Sequence, residues 1–94
     1  MSQAGGRAAR VRAVLTEAFR PSVIEVHDDS ASHAGHSGAA PGGETHMQVR
    51  MVSDAFAGQN RVARSRAVHA TLDAEFRTGL HALSLVLRAP GEPG

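Results

Sequence analysis

Three short segments of this chain alternate apolar and polar residues with a period of two. That pattern dictates a sheet with one wet face and one face that needs a cover. Residues 45–53 carry it most clearly: Met47, Val49 and Met51 alternate with His46, Gln48 and Arg50. Successive side chains of a strand point to opposite faces, so one set packs and the other meets water. Residues 22–28 repeat the pattern, with Ile24 and Val26 toward the core and Glu25 and His27 outward. Residues 81–88 repeat it again, with Leu83, Leu85 and Leu87 sharing one face.

The cover must come from the two segments with helical spacing. In residues 7–19, Val11, Val14, Leu15, Ala18 and Phe19 make an apolar face. Arg7, Arg10, Arg12 and Glu17 take the wet side, and Pro21 stops the helix. Residues 54–58 read as a turn. Residues 60–77 are helical again, anchored by Val62, Val68, Leu72 and Phe76, as one broken helix or two short ones. Gly79 closes that segment. The order α-β-β-α(α)-β, with three strands and helices on one face, predicts an α+β two-layer sandwich. A chain of 94 residues holds one such domain. It is expected to span residues 7–88, between a flexible N-terminus (1–6) and a mobile Pro/Gly tail (89–94) without core content. Residues 29–44 form a loop rich in Gly, Ala, Ser and His, expected to lack order without metal.

The absence of cysteine excludes disulfides, thiolate zinc sites and a self-contained iron–sulfur centre. The net charge of +1 gives no strong general attraction for polyanions. All basic side chains except the histidines are Arg, the better residue for bidentate phosphate or carboxylate contacts. No apolar run is long enough to span a membrane, and no signal-peptide hydrophobic region follows Arg7, Arg10 and Arg12. A cytoplasmic protein is expected. No Cys nucleophile or phosphate-binding Walker loop is present, and Asp28–Asp29 reads as a turn feature, so a non-catalytic role is expected.

Four motifs occur in order along the chain. The run Val49-Arg-Met-Val-Ser-Asp-Ala-Phe-Ala-Gly58 resembles the strand leading into "vSdxFxG" in the BolA family. Arg64-Ser-Arg-Ala-Val68 resembles its "RHRxV" helix start, with Ser65 in place of His. Leu80-His-Ala-Leu-Ser-Leu85 resembles "vHALxl", and Gly43-Glu-Thr-His46 resembles "sEtHf". The likeness runs from Val11 to Arg88. The loop holds extra residues and a second His, and the Pro/Gly tail does not read as the helix many members carry after the last strand. The resemblance implies a fold like the type II KH domain. It also implies a partnership with a monothiol glutaredoxin and glutathione around a shared 2Fe–2S cluster, with His ligands from the long loop and the "HAL" motif. A monomer that becomes a heterodimer with its partner is expected.

On that resemblance His81 is the metal-ligand candidate on the last strand, and the loop supplies His33 or His36. His33 keeps the family spacing after residue 30; the extra residues leave His36 in contention. Imidazole replaces thiolate on one iron of Rieske centres, so a chain without Cys suits a shared cluster and not one of its own. A His-x-x-His pair in a Gly-rich loop also suits adventitious zinc or copper. His27 and His69 read as surface residues, and His46 as a structural residue pinning the loop to the strand.

The alternative function is a DNA-binding transcriptional regulator. Arg61, Arg64 and Arg66 open the second helical region and Arg50 lies on the wet strand face, a set suited to the phosphates of double-stranded DNA. Asp73 and Glu75 nearby favour an ordinary solvated face, and no Tyr or Trp offers a stacking platform. The GXXG match at Gly35–Gly38 lies between two strands, while residues 59–78 contain no Gly, so the KH mode of single-strand binding is not expected.

Overall fold

The protein is seen in a computed structural model that describes residues 6–28 and 45–93. The expected loop 29–44, with His33 and His36, lies outside the described residues, as do residues 1–5 and 94. The order is α1 (Arg7–Phe19), β1 (Val23–Asp28), β2 (His46–Val52), a 3₁₀ turn (Asp54–Phe56), α2 (Arg61–Thr71), α3 (Asp73–Arg77) and β3 (Ala82–Arg88). The helical segment 60–77 therefore resolves into two helices that meet at Leu72, the C-cap of one and the N-cap of the next.

The sheet runs β1-β2-β3, with β1 antiparallel and β3 parallel to β2. The register lines up the apolar positions across all three strands: Ile24 opposite Met51, Val26 opposite Val49, then Val49 opposite Leu85 and Met51 opposite Leu87. These residues meet Val11 and Leu15 of α1, Val68 of α2 and Leu72 at the junction of α2 and α3 in one core. The architecture is the α+β sandwich the alternation predicted.

Four placements differ from the pattern reading. Val14 and Val62 are 39% and 55% exposed and do not serve the core. At 3.6 residues per turn, Val62 lies about 120° from Val68 and Arg64 only about 40° from it, so the inward position of that turn belongs to the arginine. Arg7, placed on the wet side by its charge, is 13% exposed. It sits one turn before Val11 on the face that continues through Leu15 and Phe19. Finally, residues 89–94 do contain core material, since Ala89 is buried and packs in the main cluster.

The Ser-Asp-x-Phe-x-Gly motif is explained by packing. Ser53 is buried; its hydroxyl donates to the Phe19 carbonyl at 2.6 Å and accepts from the Ala55 N–H at 3.0 Å. One side chain thus ties the end of α1 to the 3₁₀ turn. Phe56 then drops into the core, and Gly58, at φ +79°, takes the left-handed turn toward Asn60. Asn60 caps α2 by accepting from the Ala63 N–H at 2.8 Å. Ser53→Ala is expected to cost about 2 kcal/mol, a lost cap plus a carbonyl without its donor. Urea unfolding measures this; an unchanged midpoint would contradict the role given to Ser53.

Candidate functional site

The ends of the loop segment and His81 lie at one end of the sheet because of the topology. Asp28, the last residue of β1, pairs with Met47. His46, the first residue of β2, pairs with Ala82 at the start of β3. Asp28 and His46, on either side of residues 29–44, therefore lie toward the end of the sheet where β3 begins.

His81 is held there by its backbone. Its N–H donates to the Thr45 carbonyl at 2.8 Å, and the Ala82 N–H shares that acceptor at 3.1 Å. The imidazole itself is exposed. Buried Leu80 precedes it, and the Leu80 N–H donates to the Glu75 carbonyl at 3.0 Å. A solvent-facing imidazole on a doubly anchored backbone suits a group that must meet an external ligand without a large ordering cost.

The other histidines are placed elsewhere. His27 is exposed on the open face of the sheet. His69 is exposed on α2 and stacks on Phe76, with ring centroids 5.0 Å apart and planes at 10°. His46 Nδ1 lies 2.9 Å from Thr45 Oγ1. Among the described residues no group of three or more His, Cys, Asp or Glu side chains could hold a metal ion. His81 therefore belongs to no such group among the described residues.

The arginines do not form one surface. Arg61 and Arg66 are exposed on α2. Arg50 sits on the sheet face opposite the core, 3.8 Å from Glu25. There it lines a shallow depression of about 230 Å³ with Glu25, His27, Gln48, Ser84 and Val86. Arg64, expected beside Arg61 and Arg66, is only 11% exposed and is occupied within the fold. It donates to the Leu87 carbonyl at 3.0 Å, lies over the Phe56 ring at 5.9 Å and grips both carboxylate oxygens of Glu92 at 2.7 and 2.8 Å. The Ala89 N–H also donates to Glu92, at 3.0 Å. The Arg64 hydrogen bond, aided by that amide, holds the Glu92 carboxyl down at about 2.

A second cluster escaped the sequence reading. Arg7 and Arg10 both reach Glu75 on α3, at 2.6 and 3.0 Å, and Glu75 is buried. The hydrogen bond from Arg10 holds its carboxyl below the ordinary value, helped by the charges of both arginines and opposed by burial. Spacing held the available signal: Arg7 falls in the same four-residue row as Val11 and Leu15.

Among the described residues no helix is long and apolar enough to cross a membrane.

Comparison with known proteins agrees with this architecture. The BolA-like protein family matches residues 15–92. The solved BolA1 of Arabidopsis thaliana superposes with a TM-score of 0.84 at 42% identity, covering 95% of this chain and 97% of that one. The BolA domain of SufE1 from the same plant gives 0.82 at 44% identity, covering 95% and 98%. A Sinorhizobium sp. protein, "Uncharacterized protein in cobS 5'region", is 52% identical over 80 residues, covering 84% of this chain and 86% of its own length. The chain spans 25% of full-length SufE-like protein 1 and 55% of full-length BOLA1 of A. thaliana. With a family match over most of its length and a core, sheet order and motif geometry to explain that match, the chain belongs to the BolA family.

Proposed function

We propose that this protein is a non-catalytic module that completes a 2Fe–2S cluster shared with a monothiol glutaredoxin, serving iron–sulfur handling or iron-responsive regulation in the cytoplasm. The observation that carries the reading is the placement of His81: an exposed imidazole on a fixed strand entry, at the end of the sheet where β1 finishes and β2 starts. His81 and one of His33 and His36 would supply nitrogen to one iron. The donor set fits that group. Imidazole nitrogen is an accepted iron ligand in mixed-ligand clusters, and a chain without Cys needs thiolates from elsewhere. The partner's cysteine and glutathione would provide them. When bound, the cluster supplies an iron–sulfur group for transfer or sensing; this chain presents nitrogen donors and a docking surface.

The test is to mix the purified protein with a monothiol glutaredoxin, glutathione, ferrous iron and sulfide, and to record visible absorption and circular dichroism. A spectrum distinct from that of the glutaredoxin's own cluster is expected. His81→Ala should return the spectrum to the glutaredoxin form. Because the side chain is exposed, the same change should move folding stability by less than about 0.5 kcal/mol. A stable, folded His81→Ala chain that gave the wild-type mixed spectrum would remove His81 from the ligand set.

A further inference from the structure

The most elaborate polar arrangement in the described fold lies just upstream of His81, and no ligand contact is assigned to it. The Arg7 guanidinium makes four hydrogen bonds across the end of α3. Nη1 donates to the Glu75 carbonyl at 3.0 Å, to Glu75 Oε1 at 2.6 Å and to Thr78 Oγ1 at 3.0 Å. Nη2 donates to the Thr78 carbonyl at 2.9 Å. Gly79, at φ +129°, leaves room for this fork: a Cβ there would stand 3.1 Å from Arg7 Nη2. A side chain at Gly79 would meet both the strained backbone and the arginine.

The fork and the carbonyl of Thr45 hold the two ends of one short segment. Upstream, Arg7 fixes Glu75 and Thr78, and the Glu75 carbonyl also receives the Leu80 N–H at 3.0 Å. Downstream, the Thr45 carbonyl receives the N–H groups of His81 and Ala82. The arrangement is a poor device for stability alone. Arg7 Nε is buried with no hydrogen-bond partner, and a largely buried ion pair gains little over an apolar replacement. What a planar fork with several donors does well is to fix geometry.

We infer that Arg7 is a positioning residue for His81: with Glu75 and Thr78 it clamps the 78–81 segment so that the imidazole is presented in one orientation at the end of the sheet. The inference rests on the ligand reading of His81 given above, and it extends that reading to a residue on α1. Sequence-distant α1 thus sets the geometry of the strand entry, and Gly79 has its place because the guanidinium needs the room.

Arg7→Lys is the informative variant. A single ammonium keeps an ion pair with Glu75, and so keeps the fold, but it has no second nitrogen to hold the Thr78 carbonyl as Nη2 does. In the free chain, amide hydrogen exchange at Leu80 and His81 is expected to speed up about tenfold, while amides in the centre of β2 stay unchanged. In the mixed cluster, the nitrogen hyperfine signal of His81 should broaden or shift. Thr78→Val, which removes the hydroxyl's contact with Arg7 together with its bond to the Ala74 carbonyl but keeps the Thr78 carbonyl for Nη2, should give a smaller change in the same direction and serves if Arg7→Lys folds poorly. Unchanged exchange at His81 in both variants would overturn the clamp. Equal acceleration at every amide would also overturn it, by reducing Arg7 to a contributor to global stability. The exchange arm needs no cluster, so failure of the clamp and failure of the ligand reading are separately visible.

Discussion

Replacing Phe56 with Ala is expected to destabilise the protein by about 4 kcal/mol, the largest loss of any single change considered. Phe56 is fully buried. Its ring packs on Phe19 at 5.2 Å with planes tilted by 32°, and the Arg64 guanidinium lies over it at 5.9 Å. Removing the ring opens a cavity where α1, the 3₁₀ turn and α2 converge. It also strips the apolar support from an arginine that bonds the Leu87 carbonyl and Glu92. A small domain has roughly 5–15 kcal/mol of stability in total, so Phe56→Ala should populate the unfolded state measurably at room temperature. Urea denaturation followed by far-ultraviolet circular dichroism checks this. Phe56→Leu, which keeps most of the volume, should lose about 1.5 kcal/mol. Equal midpoints for wild type and Phe56→Ala would contradict the core assignment.

The second large effect is expected at Glu75. Glu75→Gln at neutral pH should cost about 2–3 kcal/mol, because Arg7 and Arg10 keep their charges and lose the carboxylate between them. The same residue predicts the acid behaviour. Glu75 and Glu92 both ionise more readily in the folded chain than at the ordinary value of 4.5, Glu92 down to about 2. Each therefore adds stability that is present above pH 4.5 and lost as pH falls through its folded value. For Glu92 that window runs from 4.5 to about 2. A denaturation series across this range should show stability falling steadily with acid. Glu75→Gln should flatten that slope while lowering the neutral plateau. A variant that kept the wild-type slope would show that Glu75 is ionised no more easily in the fold than in the open chain.

These two residues also show what a sequence reveals and what it conceals. The strands were legible because a period of two is unambiguous when one face is buried: residues 22–28, 45–53 and 81–88 were expected, against Val23–Asp28, His46–Val52 and Ala82–Arg88 in the structure. Phe56 stood out by motif. Arg7 and Glu75 did not, because charge was allowed to outweigh spacing. Arg7, Val11, Leu15 and Phe19 recur every four residues, and only the guanidinium argued for the wet side. A buried arginine becomes visible only with its partner, and Glu75 is brought to it from 68 residues away by the fold. Arg64 was misplaced for the same reason, with Glu92 as the distant partner. Val14 and Val62 were the converse error, apolar residues just off the buried stripe.

The candidate site was legible in a different sense. His81 was singled out by likeness to family motifs, and its environment supplies the physical content: an exposed ring, a backbone bond to Thr45 and a clamp behind it. His33 and His36 lie outside the described residues. The arginine surface became narrower once folded. Arg61 and Arg66 stay exposed on α2, while Arg50 lies across the sheet and Arg64 is turned inward.

The central claim is that this chain gives nitrogen to a cluster whose thiolates come from its partner. It is tested most directly by labelling the chain with ¹⁵N-histidine, assembling it with unlabelled monothiol glutaredoxin, glutathione, iron and sulfide, and recording pulsed electron paramagnetic resonance of the reduced cluster. Strong ¹⁵N hyperfine coupling that is lost or reduced in His81→Ala is the predicted result. A reduced cluster in the mixture showing only thiolate ligation, with no ¹⁵N coupling from this chain, would contradict it.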